Sequence, residues 1–259
     1  MTKAVILIPA RYASSRYPGK PLVELTGADG AKPLIQRTWE AAKQVSGVAA
    51  IFVATDDERI AERVRAFGGE VIMTGETCAN GTERCAEAAG YLADMPDIVI
   101  NLQGDAPLTP PWFLEDLISA MEKRPDIGVA TPVLRCDPAT YGRFRADRAE
   151  GRVGGTTAVF AADGSALYFS KEVIPYLPEK ATHPMMPVFH HVGVYAYRPE
   201  ALMRYSQWTE GVLEANEGLE QLRFLENGEK ILCVEVEARG RSFWELNNPV
   251  DVARIEEVL

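Results

Sequence analysis

The chain has 259 residues, 47% of them apolar, and its 27 Lys and Arg against 37 Asp and Glu give a net charge of −10. This length and apolar content support a sizeable core and exclude disorder as the main state. A pI near 5.0 excludes a general nucleic-acid binder, so any polyanion must be met by a local basic pocket.

Taken in chain order, Val5–Ile8 reads as a strand, Pro33–Val45 as a helix, Ile51–Ala54 as a strand and Asp57–Phe67 as a helix. Val71–Met73, Thr82–Leu92, Ile98–Leu102 and Pro111–Lys123 continue the alternation of strand and helix. Short strands alternating with longer helices predict an α/β fold with a doubly wound, mostly parallel sheet covered on both faces. Arg135–Gly155, rich in charge and glycine, reads as a surface loop or lid. Thr156–Phe160, Ala166–Ser170 and Val192–Tyr197 then read as strands, Glu214–Glu226 as a helix, Ile231–Val236 as a strand, and a closing helix starts at Pro249. A single domain spanning 1–259, with a substrate-facing subregion at about 156–230, is the economical organisation.

No run approaches the ~20 apolar residues of a membrane span, and no cleavable signal pattern follows Met1. A soluble, cytoplasmic protein with neither membrane nor nucleic-acid partner is expected. Cys78, Cys85, Cys136 and Cys233 form no CxxC pair and are read as reduced packing residues.

Ligands of doubly wound sheets sit beyond the carboxyl ends of the strands, so the segment after Ile8 carries weight. It places Arg11, Arg16 and Lys20, the hydroxyls of Ser14 and Ser15, and a Pro18-Gly19 turn within one loop. In an acidic chain this is a local anion site, with a solvated basic loop as the alternative. Neither GxGxxG nor GxxxxGK[ST] occurs.

The run Ile8-Pro9-Ala10-Arg11-Tyr12-Ala13-Ser14-Ser15-Arg16-Tyr17-Pro18-Gly19-Lys20-Pro21-Leu22 resembles the signature of sugar nucleotidyltransferases that make CMP-activated acid sugars. It is most similar to the 3-deoxy-D-manno-octulosonate (Kdo) cytidylyltransferase family. Ala54-Thr55-Asp56-Asp57, Gly81-Thr82-Glu83-Arg84, Asn101-Leu102-Gln103-Gly104-Asp105-Ala106-Pro107 and Leu219-Glu220-Gln221-Leu222-Arg223 match in order. The resemblance covers nearly the whole chain. It implies Mg²⁺-dependent transfer of CMP from CTP to the anomeric hydroxyl of a 2-keto acid sugar, most closely Kdo, with release of pyrophosphate, as in lipopolysaccharide precursor activation. It also implies a nucleotide-diphospho-sugar transferase-like fold and a homodimer.

Transfer of CMP requires the α-phosphorus held in line between the sugar hydroxyl and the departing pyrophosphate, so positioning and charge neutralisation dominate. By resemblance Arg11, Arg16 and Lys20 face the triphosphate, with backbone from Ala10 and the Ser14 hydroxyl beside the nucleotide. The resemblance also puts Asn80, Gly81, Thr82 and Arg84 near cytosine and ribose, with Thr82 as an N-cap and Glu83-Arg84 as a solvated first turn the alternative. Asp105, at the tip of a strand, is placed to hold Mg²⁺, with capping of the next helix as the alternative. Gln103 implies a contact to sugar or nucleotide. Lys171, His191, Tyr195, Glu220 and Gln221 match positions lining the acid-sugar pocket. Arg11, Lys20 and Asp105 form the expected catalytic set.

Several positions depart from the family pattern. Asn247 stands where an Asp is usual before the Pro, and Glu245, on the same side of an extended segment, is the candidate to supply the charge. Cys78 and Asn80 replace His and Ser, Thr157 replaces Lys, and Lys171 replaces Arg. These changes gather at the acceptor side and the metal, which leaves open another acid sugar or a phosphonate as acceptor, or a CTP-binding protein without catalysis.

Overall fold

Seven consecutive residues, Ala4–Ala10, are buried and extended (β1), and their side chains divide between two packing layers. Ala4, Ile6 and Ile8 join one core with Ile35, Ile60, Phe113 and Leu117, while Val5 and Leu7 join the other with Cys85, Ala89 and Tyr197. A strand buried on both faces belongs in the middle of a sheet covered by helices. The computed structural model describes residues 2–13, 17–153, 155–178, 185–241, 243–246 and 248–259.

After β1 come a hairpin of β2 (Glu24–Gly27) and β3 (Gly30–Pro33), then α1 (Leu34–Ala42), β4 (Val48–Thr55), α2 (Glu58–Ala66) and β5 (Glu70–Met73). Next are α3 (Gly81–Gly90), β6 (Ile98–Leu102), α4 (Pro111–Lys123) and β7 (Val129–Arg135). The second half holds α5 (Pro138–Ala149), β8 (Thr157–Phe160), β9 (Ala166–Ser170), β10 (Phe189–His191) and β11 (Val194–Tyr197). It closes with α6 (Pro199–Tyr205), α7 (Val212–Glu217), α8 (Leu222–Glu226), β12 (Ile231–Val236) and α9 (Asp251–Glu256).

The main sheet runs β5-β4-β1-β6-β11-β7-β10-β8-β9, with β12 beside β7. β5, β4, β1 and β6 are mutually parallel. β11 is antiparallel to both β6 and β7, and β12 is parallel to β7, so β1, β4, β6, β7 and β12 end on one edge. Residues 156–197 thus extend the same sheet with antiparallel strands. β11 covers the start of β7 and β10 its end, which leaves the other side of β7 to β12.

Two sequence expectations are corrected. Arg135–Gly155 is not a loop: Asp137 caps α5, its side chain accepting from the Thr140 amide at 2.6 Å, and Phe144 anchors the helix against Cys136 and Val188. The expected helix Glu214–Glu226 is two short helices, because Gly218 takes a left-handed conformation (φ 59°) that ends α7. The four cysteines are buried and free, as read from their spacing.

Candidate active site

The loop after β1 and the loop after β6 meet at the carboxyl edge. Gly104 allows this approach, since a Cβ there would lie 2.8 Å from the Pro9 carbonyl oxygen. Gly19 adopts φ 70°, and its amide donates to the Tyr12 carbonyl at 2.9 Å, folding the basic loop back on itself. The turn delivers Lys20 to Asp105, Nζ to Oδ2 at 2.5 Å, with side chains 18% and 23% exposed and therefore open to a ligand. Arg11 is exposed and donates to the Ala79 carbonyl at 3.2 Å, so it spans from β1 to the segment before α3. The Leu246 amide donates to the Asp105 carbonyl at 2.9 Å, which fixes the segment after β12 against the same loop.

A second cluster adjoins the first through Gln103, two residues before Asp105. Its Nε2 donates to Glu220 Oε1 at 3.0 Å, and Glu220 Oε2 accepts the Thr82 amide at 2.9 Å. Burial pushes the Glu220 carboxyl above the usual range, against the pull of the Thr82 hydrogen bonds. The Thr82 hydroxyl, fully buried, pairs with the Tyr197 hydroxyl at 2.9 Å. Gly81 has no room for a side chain, because a Cβ would meet the Gln103 amide nitrogen at 2.7 Å. Gly81→Ala is expected to push Gln103 off Glu220 with little change in thermal midpoint, since the atoms that yield end a flexible side chain. Calorimetry and a crystal structure of the variant check this, and a midpoint lowered by several degrees, or Gln103 still bonded to Glu220, would contradict it.

Gln221 follows Glu220 in the turn between α7 and α8, and the break at Gly218 lets both side chains reach the sheet. Gln221 Oε1 accepts from the Tyr195 hydroxyl at 3.0 Å. His191 Nε2 lies 2.9 Å from the Thr131 hydroxyl, and both are buried. The Lys171 amide donates to Glu217 at 2.9 Å, and its ammonium lies over Gly218. The Glu245 carboxylate is packed on Gly193, where a Cβ would be 3.1 Å from Oε1, on the β10–β11 connection that leads to Tyr195.

Burial holds His190 at a pKa of about 4, and burial with the neighbouring His190 holds His191 at about 3, so both are neutral at physiological pH. A histidine whose folded pKa is depressed contributes stability above its unfolded value of ~6.5 and loses it as pH falls toward the folded value. Each should subtract about 1.4 kcal/mol of unfolding free energy per pH unit below ~6.5. Glu220, with its raised pKa, works in the opposite direction. Urea unfolding at pH 7 and pH 5 should therefore show a drop that is smaller in a His190→Gln, His191→Gln double variant; equal drops would contradict the assignment.

Other expected site residues are engaged internally. Arg84, 3% exposed at its side chain, pairs with Asp56 at 2.9 Å and donates to Thr74 at 2.6 Å, which ties α3 to the ends of β4 and β5. Asn80 caps α3, accepting from the Glu83 amide at 2.9 Å while its amide donates to the Tyr205 hydroxyl at 2.9 Å. Thr157, buried, donates to the Glu172 carbonyl at 2.7 Å. Ala10 is the buried last residue of β1. Ser14, Arg16 and Asn247 lie outside the described residues. Sequence reading assigned no role to Asp56, to Arg223, which pairs with Glu214 at 2.6 Å and Glu83 at 2.8 Å, or to Asn101. Asn101 has a visible signal, an amide within the apolar run Ile98-Val99-Ile100-Asn101-Leu102.

Among the described residues no group of three or more His, Cys, Asp or Glu forms a metal cluster. Asp105, paired with Lys20 of the cationic loop, has a side chain 23% exposed. One carboxylate fits a hard divalent cation that keeps waters and is held chiefly by substrate phosphates, the usual habit of Mg²⁺.

The cytidylyltransferase family profile matches residues 5–231, which makes the chain a nucleotidyltransferase. The chain is 44% identical over 255 residues, 98% of its length and 95% of the relative, to the 3-deoxy-manno-octulosonate cytidylyltransferase of Maricaulis maris (strain MCS10). It is 43% identical over 242 residues, 93% and 90% of the two chains, to the enzyme of that name from Escherichia coli. It therefore belongs to the 3-deoxy-manno-octulosonate cytidylyltransferase family. A solved structure of CMP:2-keto-3-deoxy-manno-octonic acid synthetase complexed with CTP superposes with a TM-score of 0.84 at 39% identity, covering 99% of this chain and 98% of that one. The 4-diphosphocytidyl-2C-methyl-D-erythritol synthase from Anaerococcus prevotii DSM 20548, with a TM-score of 0.59 and 12% identity, shares the fold; coverage is 99% and 97%.

Proposed function

We propose that the protein transfers CMP from CTP to the anomeric hydroxyl of Kdo, forming CMP-Kdo and pyrophosphate. The observation that carries this reading is the meeting of Lys20 and Asp105, 85 positions apart, at the sheet edge beside the Gln103–Glu220–Thr82 cluster. In the ligand-free chain the ammonium and the carboxylate neutralise each other. On binding of CTP, Lys20 turns its charge to the phosphate oxygens and Asp105 becomes available to the metal. Arg11, with its exposed guanidinium, adds bidentate capacity for the same oxygens.

The sugar oxygen attacks the α-phosphorus, the bond from that phosphorus to the bridging oxygen of the β-phosphate breaks, and the hydroxyl proton passes to solvent. Mg²⁺ held by Asp105 and phosphate oxygens would neutralise charge and lower the pKa of the hydroxyl. Gln103, Glu220, Gln221 and Tyr195 supply fixed donors and acceptors for the hydroxyls of the acceptor, while His191 remains neutral and offers no charge. Lys171, whose ammonium lies over Gly218 beside the Glu220 turn, suits the acid-sugar carboxylate. A homodimer and a cytoplasmic location belong to the same reading. Among the described residues no helix is long and apolar enough to cross a membrane.

The test is pyrophosphate release from CTP and Mg²⁺ with a panel of acceptors. Release with Kdo above that with other nonulosonic or octulosonic acids and phosphonates supports the proposal. Release only with another acceptor would reassign the pocket, and CTP binding without release on any acceptor would overturn transfer.

A further inference from the structure

Asn101, the penultimate residue of β6, lies between Leu7 of β1 and Tyr195 of β11 and is 0% exposed. Its neighbours in the strand are Ile98, Val99, Ile100 and Leu102, so an amide here is out of keeping with the rest of the element. Both its Oδ1 and its Nδ2 lack a hydrogen-bond partner. Buried amides are costly unless paired, and a few orphans in a core point to a ligand or an internal water as the missing partner.

The surroundings say what the amide serves. Asn101 stands two residues before Gln103, which follows the end of β6 and bonds Glu220. Residues opposite each other in an antiparallel ladder share a face, so Asn101 lies beside the base of Tyr195. The far end of Tyr195 donates to Gln221, whose own Nε2 is a second buried nitrogen with no partner. Orphan polar atoms therefore lie at both ends of one tyrosine that lines the proposed acceptor pocket. Leucine would fill the Asn101 site at no such cost.

We propose that Asn101 is a positioning residue for the acceptor: its amide binds an internal water beneath Tyr195, forming a polar floor that fixes Tyr195 and Gln221 for the sugar. The inference rests on the acceptor pocket being where the proposed function puts it. Asn101 itself touches neither the nucleotide nor the reacting atoms.

The experiment compares wild type with Asn101→Leu and Asn101→Ser. The leucine variant should raise KM for the acceptor at least about fivefold, leave KM for CTP unchanged, and keep or raise the thermal midpoint. Serine, which keeps a hydroxyl for the water, should recover part of the acceptor KM. A purely structural role would instead lower the midpoint and move both KM values together, and an unchanged acceptor KM in a folded Asn101→Leu would overturn the proposal. A high-resolution crystal structure of the unliganded wild type supplies a readout that needs no turnover. An ordered water within hydrogen-bond distance of the Asn101 amide is expected, and an amide packed only on apolar atoms overturns the proposal even if the enzyme proves active on Kdo. Absence of turnover by wild type would count against the functional reading and leave that crystallographic test decisive for Asn101.

Discussion

Lys20→Ala is expected to cut kcat for pyrophosphate release by about 10²–10³-fold, the range seen when one preorganised group aimed at developing negative charge is removed. Lys20 is held for this task by the left-handed turn at Gly19 and by Asp105, and it remains 18% exposed at the mouth of the site. The fold should survive, because the pair stands at a solvent-open edge and pairs in contact with solvent contribute little to stability, ~1 kcal/mol when fully exposed. Lys20→Arg keeps the charge but replaces a mobile point cation with a planar fork, so intermediate activity is expected. Circular dichroism and thermal midpoints taken alongside the kinetics separate this loss from unfolding. A kcat for Lys20→Ala within threefold of wild type would remove Lys20 from the mechanism.

Asp105→Asn should be as damaging and should show its effect in the metal dependence. The amide keeps the volume and one acceptor oxygen, and the Leu246 amide still bonds the backbone carbonyl of residue 105. What disappears is the negative charge, so the Mg²⁺ concentration for half-maximal turnover should rise at least about tenfold, with kcat lowered about 10²-fold or more at saturation. Lys20 also loses its counter-charge, and the variant should bind CTP in the absence of metal as well as or better than wild type. Isothermal titration with and without Mg²⁺ checks both halves. An unchanged metal requirement would assign the cation elsewhere.

The parallel half of the fold was legible because its strands are mostly apolar and its helices are amphipathic. Ile98–Leu102, Pro111–Lys123 and Ile231–Val236 have the bounds their patterns predict, as does the antiparallel strand Ala166–Ser170. α5 escaped notice because Gly142 and four charged residues interrupt a helix that buries only Phe144. The break at Gly218 was hidden for a different reason: glycine inside a helical pattern is tolerated often enough that only the tertiary pull of Glu220 and Gln221 toward the sheet shows it is a stop.

The site divides in the same way. Arg11, Lys20 and Asp105 could be singled out because they follow strands whose carboxyl ends are predictable. The Gln103–Glu220 hydrogen bond joins residues 117 positions apart, and no spacing rule encodes it. Arg84, in a matched motif, and Asn80, just before it, also hold α3 in place against Asp56, Thr74 and Tyr205, partners no spacing rule announces. Such residues shape a pocket from behind.

The measurement closest to the central claim is ³¹P NMR of the protein with equimolar CTP and Kdo in Mg²⁺. The account predicts loss of the triphosphate resonances, appearance of pyrophosphate and growth of one phosphodiester signal in equal amount. Unchanged CTP, or orthophosphate with CDP in place of the phosphodiester, would contradict it.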